Sequence, residues 1–445
     1  HISLFAVGDD DQNIYSFSGA SIRHIRQFEQ DFSAKPVFLT QNYRSTGNII
    51  KTANAVIECA SERMKTGHEI VVDGARAKET LGGKMTTLDP VAQGRVQILE
   101  CPKGNDSQAL AALEELQRLS ALIPDWNWAR AAIISRDWRK LAPVRDYAEG
   151  LKIPVEVANE QLSGLWRTRE MQTFVKAVQK NYNHLVSIND LTKLLDSIPS
   201  SQWTTRIVSG LNLLNREIDE RQIPSSDVIE WLAEWARETW SDQRSLRLLT
   251  AHRAKGLEFD DVVILDGGWE RPSLAEDEDA PRRLFYVAMT RARRNLIVMS
   301  NDHHEYLPKQ LPSVIKRTVW PDLSALPGPR RFFQSAEPRI VDLSFAGRQR
   351  QGHPVLAATG AAQTGDPLKL VFEQDRWHIK DMSDSILGRM AKNFAPPPNT
   401  KFSYGKIAAI LEWRKQYGDE AFHYTLKREV WEVVIPELVF EELQC

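Results

Sequence analysis

Fourteen residues from Arg282 to Asn295, RRLFYVAMTRARRN, carry five arginines around the apolar run LFYVAM. A solvated basic face does not usually alternate with Leu284, Phe285, Val287 and Met289. The mixture predicts a buried helix that delivers guanidinium groups to a fixed point. A rigidly held guanidinium can neutralise charge that develops on a transferring phosphoryl group. A core helix with a basic end accounts for these fourteen residues equally well.

Three further strings set polar side chains beside apolar runs. Leu4–Val7 predicts a short buried strand ending at Gly8, and VGDDDQNIYSFSGA then reads as a loop from its carboxyl end, where α/β sheets bind ligands. Within this loop Asp9-Asp10-Asp11 reads as a solvated turn or as a Mg²⁺ ligand set. The Gln12 amide can orient water or touch a phosphate, and Tyr15 can stack on a base. Pro36–Leu39 predicts a second strand, followed by TQNYRST, with Ser45 or Thr46 placed to cap a helix over 47–64. At that turn Tyr43 can stack on a purine while Arg44 reaches a phosphate. Strands predicted at Leu246–Thr250 and Val262–Leu265 bracket HRAKGLEF. Lys255 could meet a phosphate there. Glu258 could accept from a ribose hydroxyl or hold Mg²⁺ through water. Surface groups on a crossover, His252 among them, are the alternative.

The elements that must position these groups alternate. After the helix IRHIRQFEQDF come a strand at Gly94–Cys101, a helix at Gln108–Leu122, a strand at Ala129–Arg136 and a helix, a Gly150 break and a strand in LAPVRDYAEGLKIPVEV. This alternation predicts a parallel α/β domain. From about Leu162 to Asp242 strand signals give way to successive helical stretches, with Trp231, Trp235 and Trp240 read as core. The α/β pattern resumes through the arginine helix and the strand Asn295–Ser300. A Pro-rich stretch after Trp320 reads as a linker, and LKLVF, RWHIKD and EVWEVVIPELVF predict a small β-rich domain.

The 445 residues exceed one ordinary core and point to several domains. Lys+Arg 57 against Asp+Glu 59 leaves a net charge of -2, so a nucleic-acid site must be a local groove rather than a global basic face. Three widely spaced cysteines argue against a disulfide framework or metal cluster and for a reducing, cytoplasmic compartment. No apolar run approaches a membrane span, and no signal peptide is visible.

Taken in order, these strings resemble the UvrD/Rep/PcrA-like superfamily 1 helicases. VGDDDQNIYSFSGA is similar to that family's motif III, LTQNYRST to motif IV, LLTAHRAKGLEFDDVVIL to motif V and RRLFYVAMTRARRNLIV to motif VI. The resemblance implies the carboxyl-terminal portion of an ATP-dependent, 3′ to 5′ DNA helicase. The fold it implies is α/β: a RecA-like second lobe of a P-loop NTPase, with a helical insertion and a small β-rich carboxyl-terminal domain. The expected divisions are residues 1–32 as a remnant of the first lobe, 33–161 and 245–320 as the second lobe, 162–244 as a helical insertion, 321–340 as linker and 341–445 as an accessory domain. Carried onto this chain, the motifs make Arg291 the arginine finger and put Gln12 and Arg44 at the γ-phosphate. Tyr43, Gly256 and Glu258 join the ATP contacts. Tyr15, Phe17, His252 and Lys255 face single-stranded DNA.

The departures are specific. Ser18 stands where the family usually has Arg, and Pro281 where it has an acidic residue. No GxxxxGK[ST] occurs, since Gly83-Lys84 and Gly405-Lys406 lack the preceding glycine and the Ser/Thr. The chain begins at once with LFAVG and no acidic motif II precedes it, so it is expected to be part of a longer protein. Mg²⁺ is expected mainly on an amino-terminal lobe, in the same or another polypeptide, with no metal held here. Expected partners are that lobe, single-stranded DNA and duplex junctions, with no membrane. The alternative function is a degenerate helicase-like module that binds nucleic acid or a partner without turnover. An activity carried by the tail is a third reading, but Asp375, Asp381, Glu429 and Glu432 show no metal-ligand spacing.

Overall fold

A computed structural model describes residues 4–14, 22–61, 63–76, 78–157, 165–181, 185–217, 222–238, 245–271, 277–301, 306–307, 310–325, 330–334 and 337–443. Tyr15, Phe17, Ser18 and Trp240 lie outside them. The chain divides into two compact units: His1–Ala158 with Asp242–Gly328, and Asn159–Ser241 with Pro329–Cys445.

The first unit is built on a seven-stranded sheet in the order Val314–Thr318, Val96–Glu100, Ala292–Ser300, Phe259–Ile264, Ala131–Ser135, Leu246–Thr250, Val155–Val157. Every pairing in it is parallel. Parallel strands are covered on both faces, so they read as continuous apolar runs, as in Ala131–Ser135. Alternate residues serve opposite cores. Ile133, Val263 and Ile297 pack with Leu113, Leu116 and Val144 from the helices Asn105–Leu122 and Leu141–Gly150. Ile134, Val262 and Leu296 pack with Ile49, Ala53, Phe285 and Ala288 from the helices Gly47–Ile57 and Ala280–Met289. This is the parallel α/β lobe that the alternation predicted.

Several local expectations fail for identifiable reasons. Leu4–Val7 and Pro36–Leu39 are not strands. Neither finds a partner strand among the described residues, and Phe5 and Leu39 stand 91% and 78% exposed. The pairing instead occurs two residues later, where Gln41–Asn42 meets Val71–Val72 in parallel. The helix expected over 47–64 stops at Ile57. The arginine stretch is not one helix. The helix ends at Met289, and the strand already runs from Ala292. The reason is pairing: the Phe259 amide donates to the Arg291 carbonyl at 2.9 Å and draws the following residues into the sheet.

The second unit combines the helices Arg169–Asn181, Ile188–Asp196, Gln202–Glu217 and Ser225–Glu238 with a six-stranded antiparallel sheet. Its strand order is Arg331–Gln334, Val430–Glu442, Thr400–Arg414, Pro367–Glu373, Arg376–Lys380, Ile386–Arg389. Pro436 is tolerated in a long strand because its partner Ile407 donates its amide to the Asp366 carbonyl and accepts from the Gly365 amide with its own carbonyl, so no ladder bond to Ile407 is missed. The expectation of an insertion at 162–244 separate from an accessory domain at 341–445 is corrected here. Phe174, Trp203 and Leu232 share one core with Ile407, Leu411, Ile435 and Phe440. Arg169 reinforces the union by forking onto Glu432 at 2.5 and 2.6 Å. Trp235 is buried and stacks on Trp231, as expected for core residues. No helix among the described residues is long and apolar enough to cross a membrane.

Candidate functional site

Arg44 sits in a turn whose geometry its neighbours dictate. The Asn42 side-chain oxygen accepts from the amides of Arg44 at 2.9 Å and Ser45 at 2.8 Å, an Asx turn leading into the helix Gly47–Ile57. Arg76 donates to the Tyr43 carbonyl at 3.0 Å. The turn is pinned to the residues around Arg291. Ser45 Oγ donates to the Ala292 carbonyl at 2.6 Å, and the Thr46 amide to the Arg293 carbonyl at 3.0 Å.

Arg291 occupies the turn between helix and strand, at the amino end of the sheet. It is 3% exposed. Its Nε donates to the Val287 carbonyl at 2.9 Å, Nη1 to the Leu257 carbonyl at 3.2 Å and Nη2 to Thr290 Oγ1 at 3.1 Å. Burial pushes its pKa down to about 10, and the positive charge of Arg44 pushes the same way, against Glu258. The guanidinium stays charged at neutral pH while held in a poorly solvating place. Arg44 forms an ion pair with Glu258 and donates to the Thr290 carbonyl at 3.4 Å. Thr290 therefore touches both arginines.

The loop carrying Gln12 is fastened by its acidic triplet. Arg63 grips Asp11 with two bonds of 2.8 and 2.7 Å, Lys65 reaches Asp9 at 2.6 Å and Asp11 at 3.3 Å, and the Met64 amide donates to Asp10 at 2.6 Å. Asp9 in turn accepts from Gln12 Nε2 at 2.6 Å. The triplet is neither a solvated turn nor a set of carboxylates awaiting a metal. The oxygens are close enough to suggest a cation, but Arg63 and Lys65 already supply the charge. Lys255 Nζ donates to the Gln12 carbonyl at 3.0 Å, and Arg283 to the Asn13 carbonyl at 3.0 Å.

Burial works to raise the Asp11 pKa, but its bonds to Arg63 and Lys65 outweigh it and hold the carboxyl below the usual aspartate range. A depressed folded-state pKa stabilises above the unfolded value and is lost as pH falls through the folded one. Protection factors of the Gln12 and Asn13 amides are therefore expected to hold from neutral pH down to about 4, the ordinary aspartate value, and to collapse below it. In Asp11→Asn the same amides should be poorly protected at neutral pH. A wild-type profile identical to that of Asp11→Asn would refute the latch.

Gln12, Tyr43, Arg44, Glu258, Thr290 and Arg291 line one cleft of about 430 Å³, with Asp9, Tyr286 and Arg293 also on its wall. Five of the sequence-predicted residues thus meet from four separated strings. His252 lies on the short helix Ala251–Ala254 and does not line this cleft. Lys255 reaches the Gln12 carbonyl rather than the cleft, and its ammonium is disfavoured by burial and by Arg291. Gly256, at φ 84, supplies the left-handed turn that lets the chain run from that helix to Glu258. Thr290, Tyr286 and Arg76 were not singled out from sequence. Only the adjacency of Thr290 to Arg291 could have flagged one of them. Chemically, the guanidiniums of Arg44, Arg291 and Arg293 and the Gln12 amide face a cleft whose two carboxylates, Glu258 and Asp9, already engage Arg44 and Lys65. That donor set suits a polyphosphate oxygen.

Residues 152–303 match the UvrD-like helicase C-terminal domain, and residues 1–33 the UvrD/REP helicase N-terminal domain. Over those residues the chain resembles the UvrD-like helicases. Among its relatives, it is 53% identical over 373 residues to the ATP-dependent DNA helicase PcrA of Staphylococcus epidermidis, covering 66% of this chain and 51% of that one. It is 26% identical over 372 residues to DNA helicase II of Escherichia coli, covering 66% and 51%. With PcrA of Leuconostoc citreum it is 24% identical over 427 residues, covering 78% and 55%. The chain spans about half the length of the curated relatives it matches. The strings that carry Gln12, Arg44, Glu258 and Arg291 converge on the cleft.

Proposed function

We propose that this chain supplies the second half of the ATP site of a 3′ to 5′ DNA helicase working in the cytoplasm. The reading rests on one observation: Gln12, Arg44, Glu258 and Arg291, distant in sequence, line the same cleft. In this reading Arg291 and Arg44 bear on the γ-phosphate. Arg291 is already fixed by three hydrogen bonds, whereas Arg44 must exchange Glu258 for phosphate. That exchange makes Glu258 free to accept from the ribose, and Tyr43, 67% exposed, is available to stack on adenine. Gln12 reports the γ-phosphate to the loop that leads to Tyr15 and Phe17. The Lys255 bond to the Gln12 carbonyl ties that loop to the segment carrying His252, the DNA-facing side. Base stacking is worth about 1–3 kcal/mol per base, so one hydrolysed ATP can move one base past an aromatic platform.

ATP supplies the phosphoryl group, and an amino-terminal RecA-like lobe supplies the phosphate-gripping lysine and the Mg²⁺ carboxylates. The carboxylates of Asp9 and Asp11 cannot do so while neutralised by Lys65 and Arg63. Single-stranded DNA and duplex junctions are the partners. The test compares this chain alone with the chain combined with such a lobe. DNA-stimulated ATP hydrolysis is expected only in combination, with displacement of a strand from a 3′-tailed but not a 5′-tailed duplex. Robust turnover by the chain alone would overturn the division of labour.

A further inference from the structure

Arg293 and Arg294 belong to the basic stretch that opened the sequence, yet the nucleotide reading gives them no task. They line a second cleft of about 970 Å³ at the amino ends of the strands Ala131–Ser135, Phe259–Ile264 and Ala292–Ser300. Its wall holds six cationic side chains, Arg44, Arg76, Lys84, Arg130, Arg293 and Arg294, against the three carboxylates Glu79, Glu258 and Asp260. The excess is concentrated at one point. Asp260, 7% exposed, is hydrogen-bonded by Arg294 and has Arg130 at 3.6 Å and Arg293 at 3.8 Å. One carboxylate cannot neutralise three guanidiniums, and Arg130 and Arg293 keep more than half of their side-chain surface in solvent. A second observation points the same way. Thr46 lines this cleft, and its buried hydroxyl has no hydrogen-bond partner among the described residues. A buried hydroxyl without a partner is costly unless something from outside satisfies it. Gly83 brings the opposite wall close, since a Cβ there would come within 3.2 Å of Thr46 Cγ2.

We propose that this cleft binds phosphate groups, as an anion site adjoining the nucleotide-facing cleft, with which it shares Tyr43, Arg44, Glu258 and Arg293. Guanidiniums pair with phosphate oxygens in a bidentate fork, and the Thr46 hydroxyl can donate to a third oxygen. The phosphate could belong to a free polyphosphate or to a nucleic-acid backbone, and the two sources are separable by experiment.

The probes are inorganic pyrophosphate and a twelve-nucleotide oligo-dT, titrated calorimetrically at low salt into the full chain carrying Arg291→Ala, which weakens the neighbouring cleft. Saturable pyrophosphate binding is expected. Adding Arg130→Gln with Arg294→Gln, neither of which lines the nucleotide-facing cleft, should weaken it at least tenfold, and Thr46→Val, close to isosteric, by several fold. Circular dichroism monitors folding of each variant. If the double variant unfolds, Thr46→Val and the exposed Lys84→Gln carry the test. A parallel loss of oligo-dT binding assigns the site to a phosphodiester backbone; a loss for pyrophosphate alone assigns it to a free polyphosphate. Absent binding, or binding unchanged within twofold in folded variants, overturns the proposal.

Discussion

If the proposed function holds, Arg291→Ala is expected to lower kcat for DNA-stimulated ATP hydrolysis by about 10³–10⁵ in an enzyme that joins this chain to an amino-terminal helicase lobe, the range seen when an arginine finger is supplied or withheld. The KM for ATP should move far less, because the lost interaction belongs to the transition state. Two structural facts drive the size of the effect. The guanidinium is fixed by three hydrogen bonds, so no reorganisation is needed when charge develops. It is also poorly solvated. Its pKa, lowered by burial from the ordinary arginine value to about 10, shows that the fold bears the cost of holding the cation there. The sign follows from linkage. At neutral pH, below both values, the cation persists and its burial destabilises, and the cost is relieved only as pH rises through about 10. An anion entering the cleft offsets that cost. Arg291→Lys is not expected to restore turnover, since an ammonium cannot reach the Val287 and Leu257 carbonyls and the Thr290 hydroxyl in the same planar geometry. A variant with unchanged kcat and a raised KM would remove Arg291 from the transition state and leave it a binding residue.

The chemistry of this site was more legible in the sequence than its geometry. Gln12, Arg44, Glu258 and Arg291 stand at the ends of apolar runs, where polar residues have no packing reason to be, and the order of their four strings made them a set. What the sequence obscured was how Arg291 is delivered. No glycine or proline marks the end of the helix after Met289, and Arg, Ala, Arg, Arg suit a helix by local preference. The strand wins because the Arg291 carbonyl and the residues after it pair with Phe259 and its neighbours, some thirty positions earlier. A long-range pairing leaves no local trace. The same holds for Arg63 and Lys65. Arg63 falls inside the helix expected over 47–64 and Lys65 just beyond it, but the helix stops at Ile57 and both cations close the acidic triplet.

Leu4–Val7 shows the converse error. Its apolar run has the composition of a buried strand, and the reading failed only because composition reports a preference for a sheet without providing one. In the second unit the secondary-structure classes were largely readable, helical in Arg169–Asn181, Ile188–Asp196, Gln202–Glu217 and Ser225–Glu238 and β-like in the tail. The strand Thr400–Arg414 was missed, since KIAAILEW carries no alternation. Burial explains it: Ile407 through Leu411 are all buried, so both faces of the strand are covered and no period-two signal survives. That burial is provided by helices about 200 residues earlier, which is why two segments read as separate domains share one core.

Trp203→Ala tests that shared core and is expected to cost about 3–5 kcal/mol, the range for truncating a large buried aromatic. Trp203 is 1% exposed and its Nε1 donates to the Ala408 carbonyl at 2.9 Å, so a single side chain links the helix Gln202–Glu217 to the strand Thr400–Arg414. The cost lies in the cavity rather than in an orphaned carbonyl, because Gln202 Nε2 also donates to Ala408 O at 2.8 Å and remains after the substitution. Arg206, stacked over the indole at 5.1 Å, loses its support as well. Trp203→Phe keeps most of the volume and should cost distinctly less. Denaturant unfolding gives the magnitude, and hydrogen exchange gives the location. If helix and sheet form one core, amides of Thr400–Arg414 must lose protection together with those of Gln202–Glu217. Loss confined to the helix, with the strand as protected as before, would mean that the sheet stands without the helices, and the two segments would be separate domains after all.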